Sequence, residues 1–595
     1  MKLSDYIMQF LANQQVGTVY MLAGGGAMHL DDSLGRCAGL KYVCNLHEQA
    51  CAVSAEAHAR ITNQLSAALV TTGPGSTNTI TGVAAAWLDS TPVMFVSGQV
   101  KRADLKRDTG VRILGVQEID IVSLVSPITK YAVTIMNPAD IRFHLEKAAW
   151  LATHGRRGPV WIDVPLDVQA AQIDPATLRG FTPPVEVPPA GLAGKAEKLV
   201  EMLRTARRPV ILAGTGVRSA GAESLFLQFA EKCGIPVLTT WLGFDLIPDD
   251  HPLCFGRPGS LAPRGANFTL QNSDLLIVLG SRLDMALTAY AHDRLARGAK
   301  KVMVDIDEAE IRKMQTEIHL PVVADVRDFL TVLLPRIGSV DSFAWADWTA
   351  RCREWKQRYP LVLDEHRNLP GHISMYHLSE VISDALAPGD VIVPGSSGFA
   401  IEIFLLCLKI KQGQRCFHNR GTGSMGFGLP AAIGAAVASG KRTICVDGDG
   451  GFQMNIQELA TAQRLGLPIK FFVANNDGYA SIRASQSGYF KLLVGADKTS
   501  GMTLPDLGAV AHAYGLPYVR IDNRDGLAES VRKVLDSPGP VVCEVFTAPA
   551  EERIPRASSY IKPDGSMASK PLEDLYPFLP RQEFLANMIV EPLPD

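Results

Sequence analysis

Three stretches of this 595-residue chain alternate short β-rich apolar runs with helical patterns. No other feature limits the fold as much. In residues 1–170 the runs are TVYMLAGGG, SAALVTTGPG, TPVMFVSGQ and GPVWIDVP, with helical spacing over 48–60 and 139–153. Strands separated by helices need crossover connections, so the pattern predicts α/β domains, each a doubly wound parallel sheet. Residues 171–192 are Pro-rich and aperiodic, as a linker is. A second α/β block follows over 193–340 with PVILAG, PVLTTW, LLIVLGS and KVMVDID, and periodicity fades over 341–370, read as a second linker. The third block, 371–547, carries VIVPGSS, RTICVDG, IKFFVANN and GPVVCEVF. GPVWIDVP and GPVVCEVF share one shape, a weak echo between the first and third blocks. The tail, 548–595, is Pro-rich with apolar islands, and reads as a cover over a site or a loose arm.

A length of 595 residues exceeds one core, in keeping with three domains. The net charge of −3, with no long run of either sign, gives no reason to expect a nucleic-acid partner. Ten cysteines are scattered without a Cys-x-x-Cys pair, which suits reduced thiols in a cytoplasmic protein. The amphipathic start MKLSDYIMQFLANQQ does not look like a signal peptide, and no run of about 18 apolar residues predicts a membrane span.

Residues 448–476 read GDGGFQMNIQELATAQRLGLPIKFFVANN. Asp449 follows one strand and Asn476 the next, with a crossover helix expected over 453–465. In a right-handed βαβ unit both arrive at the carboxyl ends of parallel strands, where open sheets bind ligands. A carboxylate and an amide oxygen are hard ligands suited to Mg²⁺, and the N–H groups of Gly450, Gly451 and Phe452 could meet phosphates. Spacing alone fits a plain helix cap and a turn residue about as well.

The segment Gly448-Asp449-Gly450, 24 residues, then Asn475-Asn476 resembles the thiamine diphosphate (ThDP) binding motif. The resemblance implies Mg²⁺ held by Asp449, Asn476 and the backbone carbonyl of Gly478, with Tyr479 beside it. In NLHEQACAVSAEAHAR it implies that Glu48 hydrogen-bonds N1′ of the aminopyrimidine. Pro74, Gly75 and Asn78 of TTGPGSTN would form the pyrimidine loop. GTGSMGFGLPAAIGAA would supply Gly423 and the bulky Met425 that bends the cofactor, and Ser396, Ser397, Gly398 and Phe399 further contacts. Domain order is that of acetohydroxyacid synthases and pyruvate oxidases, which implies a homo-oligomer whose active sites lie between subunits.

The middle block is similar to the FAD-contacting segments of acetohydroxyacid synthases. That implies a structural FAD near Gly214, Gly216, Arg218, Thr239, Gly280, Arg282, Asp305 and Asp325. GVQEIDIVSLVSPITKYAV resembles the carbon–carbon ligating branch, with Gln117 at the intermediate-contacting position. Three residues depart from that branch on the acceptor side: Val116 in place of Phe, Ala286 in place of a second arginine, and Ser485 in place of Trp. Each is smaller or uncharged. Together with GGGAMHLDDSLG and YPFLPRQEFLANMIV they resemble YerE-type carboligases of branched-chain sugar biosynthesis. The implied reaction takes a two-carbon unit from pyruvate and adds it to a bulky ketone, such as a nucleotide-linked keto-deoxysugar. Gly25 and His29 would then lie near the thiazolium, although His29 equally suits an ordinary helix start. The alternatives are an acetolactate synthase, a simple 2-keto acid decarboxylase and a non-catalytic ThDP-fold subunit.

Overall fold

The computed structural model describes residues 1–185, 187, 189–339, 344–561 and 567–593. Three parallel sheets carry the chain. The first contains, in chain order, Thr18–Met21, Lys41–Cys44, Ser66–Val70, Val93–Gln99, Tyr131–Thr134 and Val160–Pro165. Numbered along the chain, they lie side by side as 2-1-3-4-6-5. Every residue of Val93–Gln99 and of Val160–Pro165 is buried, which is why those segments read as continuous apolar runs and not as alternating ones. The third sheet, Val391–Ile392, Arg415–Cys416, Thr443–Gly448, Ile469–Asn475, Tyr518–Ile521 and Val541–Phe546, has the same order, 2-1-3-4-6-5. The echo between GPVWIDVP and GPVVCEVF is thus the sixth strand of each. The middle sheet has five strands in the order 2-1-3-4-5.

The described part of the expected 341–370 linker, residues 344–370, holds a packed helix. The helix Ala346–Arg358 sets Trp348, Cys352 and Trp355 on one face, at spacings of a helix turn, and buries them in the central core. It packs on the helix Arg264–Gln271, where Gly265 admits it: a Cβ there would lie 2.9 Å from the Trp355 backbone. The indole N–H groups donate to Pro209 O and Asn587 Oδ1. Trp-rich helices of low apolar content are hard to see in a sequence, because two aromatic anchors can replace a longer apolar stripe.

The tail is not a loose arm. Leaving the third sheet after Phe546, it crosses to the central domain, where Leu572 and Phe584 enter the core. Gln271 Nε2 and the Arg297 guanidinium both reach the buried Glu573 carboxylate, and Asn272 Nδ2 donates to Asn587 O. The described tail is therefore a strap binding the third domain to the second. No helix among the described residues is long and apolar enough to cross a membrane.

Candidate active site

Asp449 stands where the strand Thr443–Gly448 ends, only 4 % exposed. Its carboxylate accepts N–H bonds from Gly450 and Gly478, both at 2.9 Å. Burial pushes its pKa up to about 6. Asn476, also 4 % exposed, has a buried Oδ1 without a hydrogen-bond partner among the described residues. Buried amide oxygens are rarely left unpaired, so an external partner suits it. Gly478 has φ +111°, and a Cβ there would come within 2.6 Å of Ala496 O, so glycine is required. No cluster of three or more His, Cys, Asp or Glu side chains suited to a metal exists among the described residues. The available donors are mixed and all oxygen, a set that fits Mg²⁺ better than a soft metal.

The crossover differs from the expected helix 453–465. A four-residue helical turn, Asp449–Phe452, gives way to turns, and the helix proper is Glu458–Arg464. Asn455 makes the break: its φ is +100°, and its Nδ2 donates to Gly426 O at 2.9 Å. Gly450 lies under the Tyr479 ring, which a Cβ would strike at 2.4 Å. Among the described residues the buried Ser396 hydroxyl has no partner, and Ser397 Oγ donates to Gly423 O at 2.9 Å. Phe399 turns its ring into the third-domain core, leaving only its backbone to a ligand. Met425 is 40 % exposed.

The helix Glu48–Thr62 opens on Glu48, 8 % exposed, whose Oε2 accepts a hydrogen bond from Asn78 Nδ2 at 2.9 Å. Pro74 starts the short turn that contains Gly75, and a Cβ on Gly75 would lie 3.7 Å from Glu48 Oε1. The structure therefore gathers Glu48, Pro74, Gly75 and Asn78. Gly25 is exposed in a turn, and His29 follows, half-buried, in the helix Met28–Arg36.

Gln117 has φ +64° and is exposed; its carbonyl presses against Gly73 and accepts from Thr72 Oγ1. Val116 beside it is 85 % exposed. Glu118, which sequence reading passed over, fixes this loop: its buried carboxylate accepts N–H bonds from Lys106, Leu114 and Gly115. Glu458 was also passed over. It is wholly buried and accepts from Asn45 Nδ2 at 2.9 Å and Leu46 N at 2.8 Å, so the diphosphate domain holds the loop that presents Glu48. No local pattern marks Glu458, because its partners are set by tertiary approach, whereas Glu118 is held within its own loop by backbone groups 3 to 12 residues away.

A cavity of about 690 Å³ lies where the domains meet. Gly214, Gly216, Gly280, Arg282, Asp305 and Asp325 line it. The three glycines pack together at strand ends, with a Gly214 Cβ 2.2 Å from Gly280 O. Burial raises the pKa of both Asp305 and Asp325. Arg218 departs from expectation. It does not line the cavity but pairs with Glu223 at 2.8 Å and Asp245 at 3.0 Å. Thr239 is 1 % exposed, and its neighbour Thr240 lines the cavity instead. Asp89, Arg156, Trp241 and Arg420 complete the wall, none of them foreseen. Two strand-end carboxylates and a lightly engaged Arg282, 3.9 Å from Asp89, fit the ribose hydroxyls and phosphates of a dinucleotide.

On the acceptor side, Ser485 is exposed on the helix Ala480–Tyr489, its Oγ donating to Ser481 O. Ala286 lines a small pocket of about 60 Å³ that borders Trp241, Ser260, Asp284, Glu402 and Arg420.

Comparison with known proteins matches each of the three domains. Residues 1–124 match the "Thiamine pyrophosphate enzyme, N-terminal TPP binding domain", 196–333 the "central domain" and 397–545 the "C-terminal TPP binding domain". The acetolactate synthase large subunit of Cyanidium caldarium is 31 % identical over 564 residues, covering 92 % of this chain and 94 % of that one. Acetolactate synthase 2, chloroplastic, of Zea mays is 32 % identical over 570 residues, 93 % and 87 % of the two chains. The large subunit from Lactococcus lactis is 31 % identical over 561 residues and 93 % of each. Matching in all three domains and along nearly its whole length, the chain belongs to the ThDP-dependent enzymes of the acetohydroxyacid synthase-like family.

Proposed function

We propose that this enzyme is a pyruvate-consuming carboligase of the acetolactate synthase type, joining a two-carbon unit to a second 2-keto acid. The observation that carries the reading is end-to-end similarity to acetolactate synthases, and it is supported by an Asn476 Oδ1 that has no partner among the described residues. When bound, ThDP supplies a carbon nucleophile that adds to a 2-keto acid and releases CO₂. Asp449, Asn476 and the Gly478 carbonyl would hold Mg²⁺, and Ser396 would offer its hydroxyl to the diphosphate. Glu48, oriented by Asn78, holds the proton at N1′ of the pyrimidine. Met425, half-exposed, would lie against the bound cofactor, and Gln117 would present its amide to the reacting groups. The cavity at the domain junction takes FAD as a structural cofactor. Two copies of the chain complete the active sites between them, in the cytoplasm.

A second reading, transfer to a bulky ketone such as a nucleotide-linked keto-deoxysugar, is favoured by one observation. Val116, Ala286 and Ser485 are all small or uncharged where the resembling synthases have bulk or charge. Incubation with ThDP, Mg²⁺, labelled pyruvate and a panel of 2-keto acids and nucleotide-linked ketones separates the two. Labelled acetolactate as the main product supports the first. Label in a sugar nucleotide in preference to acetolactate supports the second, and free acetaldehyde as the sole product defeats both.

A further inference from the structure

Ala286 removes an arginine from the acceptor side, yet the pocket it lines is not without positive charge. Arg420 arrives from the third domain and borders the same space. We propose that Arg420 is the anion-binding group of the acceptor pocket, taking the carboxylate or phosphate carried by the acceptor; this rests on the carboligase reading.

Three features of the pocket point to it. First, both acids on the wall are already engaged. Asp284 Oδ1 accepts the N–H groups of Ala286 and Leu287 at 3.0 and 3.1 Å, and Glu402 pairs with Arg553 at 2.5 Å. Second, the Arg420 guanidinium lies over the Trp241 ring at 5.1 Å from its centroid, and among the described residues it has no ion pair or side-chain hydrogen bond. One face is thus held by the ring while its N–H fork is left to a ligand, the geometry that recognises a carboxylate or phosphate bidentately. Third, its position is fixed. The Arg420 backbone N–H donates to Asp89 Oδ2 at 3.1 Å, and Asn419 Oδ1 receives Thr422 N and Oγ1, closing the turn into Gly423. Arg420 therefore sits on the segment that leads directly to Gly423 and Met425, so an anion bound to it is held beside the cofactor-contacting loop.

The charge has moved from the central domain to the third. An acceptor would approach with its anionic end toward the Trp241–Arg420 pair and its carbonyl toward the Met425 segment. A 2-keto acid and a phosphate-bearing ketone share the required chemistry.

The test uses the ThDP–Mg²⁺ enzyme with pyruvate as donor and three acceptors: 2-ketobutyrate, dihydroxyacetone phosphate and neutral acetone. Arg420→Gln should raise the KM of the anionic acceptor relative to that of acetone by about 10- to 100-fold, the range of one charge-assisted contact. Arg420→Lys should recover part of it, and adding Ala286→Arg to Arg420→Gln should recover more. Whichever anionic acceptor shows the effect identifies carboxylate or phosphate as the source. Isothermal titration of 2-ketobutyrate and inorganic phosphate into the same proteins gives a readout without turnover. Anion binding lost in Arg420→Gln while no ligation product forms in the wild type would keep the site and remove the carboligase reading. Equal effects on charged and neutral acceptors, unchanged anion binding, or loss of co-purifying flavin in place of acceptor binding would overturn the proposal.

Discussion

The first and third domains run their strands in the same order and place an acid at the same point of the sixth strand, Asp163 in one and Glu544 in the other. The neighbours differ. Asp163 is fully buried among Ser97, Gln99 and Thr134, whose hydroxyls and amide donate to it, and burial pushes its pKa up to about 7. Glu544 takes the Tyr518 hydroxyl and, at 2.7 Å, the Nδ2 of Asn475. Asn475 is the first asparagine of the motif, and through it Glu544 orients the loop that carries Asn476. One topological position thus serves internal cohesion in one domain and the loop of Asn476 in the other. Fold fixes where a group stands; its partners fix what it does.

Four measurements break or sharpen that contrast. The largest effect is expected for Glu48→Gln, which keeps the Asn78 contact but cannot hold a proton at N1′: kcat for labelled pyruvate should fall by about 100- to 10,000-fold. A loss of less than tenfold would place the proton-holding group elsewhere. Chelation of Mg²⁺, or Asp449→Ala, should erase the thermal stabilisation that ThDP confers, worth about 2.7 kcal/mol at 100 times Kd. An unchanged melting shift would mean the diphosphate is held without the metal set.

Glu544→Ala should weaken Mg²⁺ by about 10- to 100-fold, as removal of an outer partner does. Asp163→Ala should leave Mg²⁺ affinity where it was, and equal effects from the two would dissolve the contrast. The smallest effect concerns pH. Because the folded-state pKa of Asp163 is raised, the folded protein holds that proton more tightly than the unfolded chain. Its contribution is full below about pH 4 and is lost as pH rises through about 7. Asp163→Asn should flatten this part of the stability profile in melting experiments, and Glu544→Gln serves as the comparison.

Much of this was legible in the residues. Apolar runs mark where strands end, and so put Asp449, Asn476 and the Pro74 loop just past the strands Thr443–Gly448, Ile469–Asn475 and Ser66–Val70. Helix Ala346–Arg358 was not legible, since its burial rests on Trp348 and Trp355 finding Pro209 and Asn587 far away in the chain. Asn455 hid the break in the crossover, because a single left-handed residue leaves the surrounding periodicity intact. Arg218 was misplaced by its neighbourhood of glycines, when the deciding partner, Asp245, lay 27 residues on. Glu458 and Arg420 act across domains, on Asn45 and beside Ala286, and sequence spacing carries no record of such meetings.

The strap has a consequence for biosynthesis. Leu572 and Phe584 complete the core around Trp355, yet they leave the ribosome only after the entire third domain has been made. While that domain is being synthesised, the central domain waits with an apolar face uncovered, a window in which a chaperone or a neighbouring nascent chain can reach it.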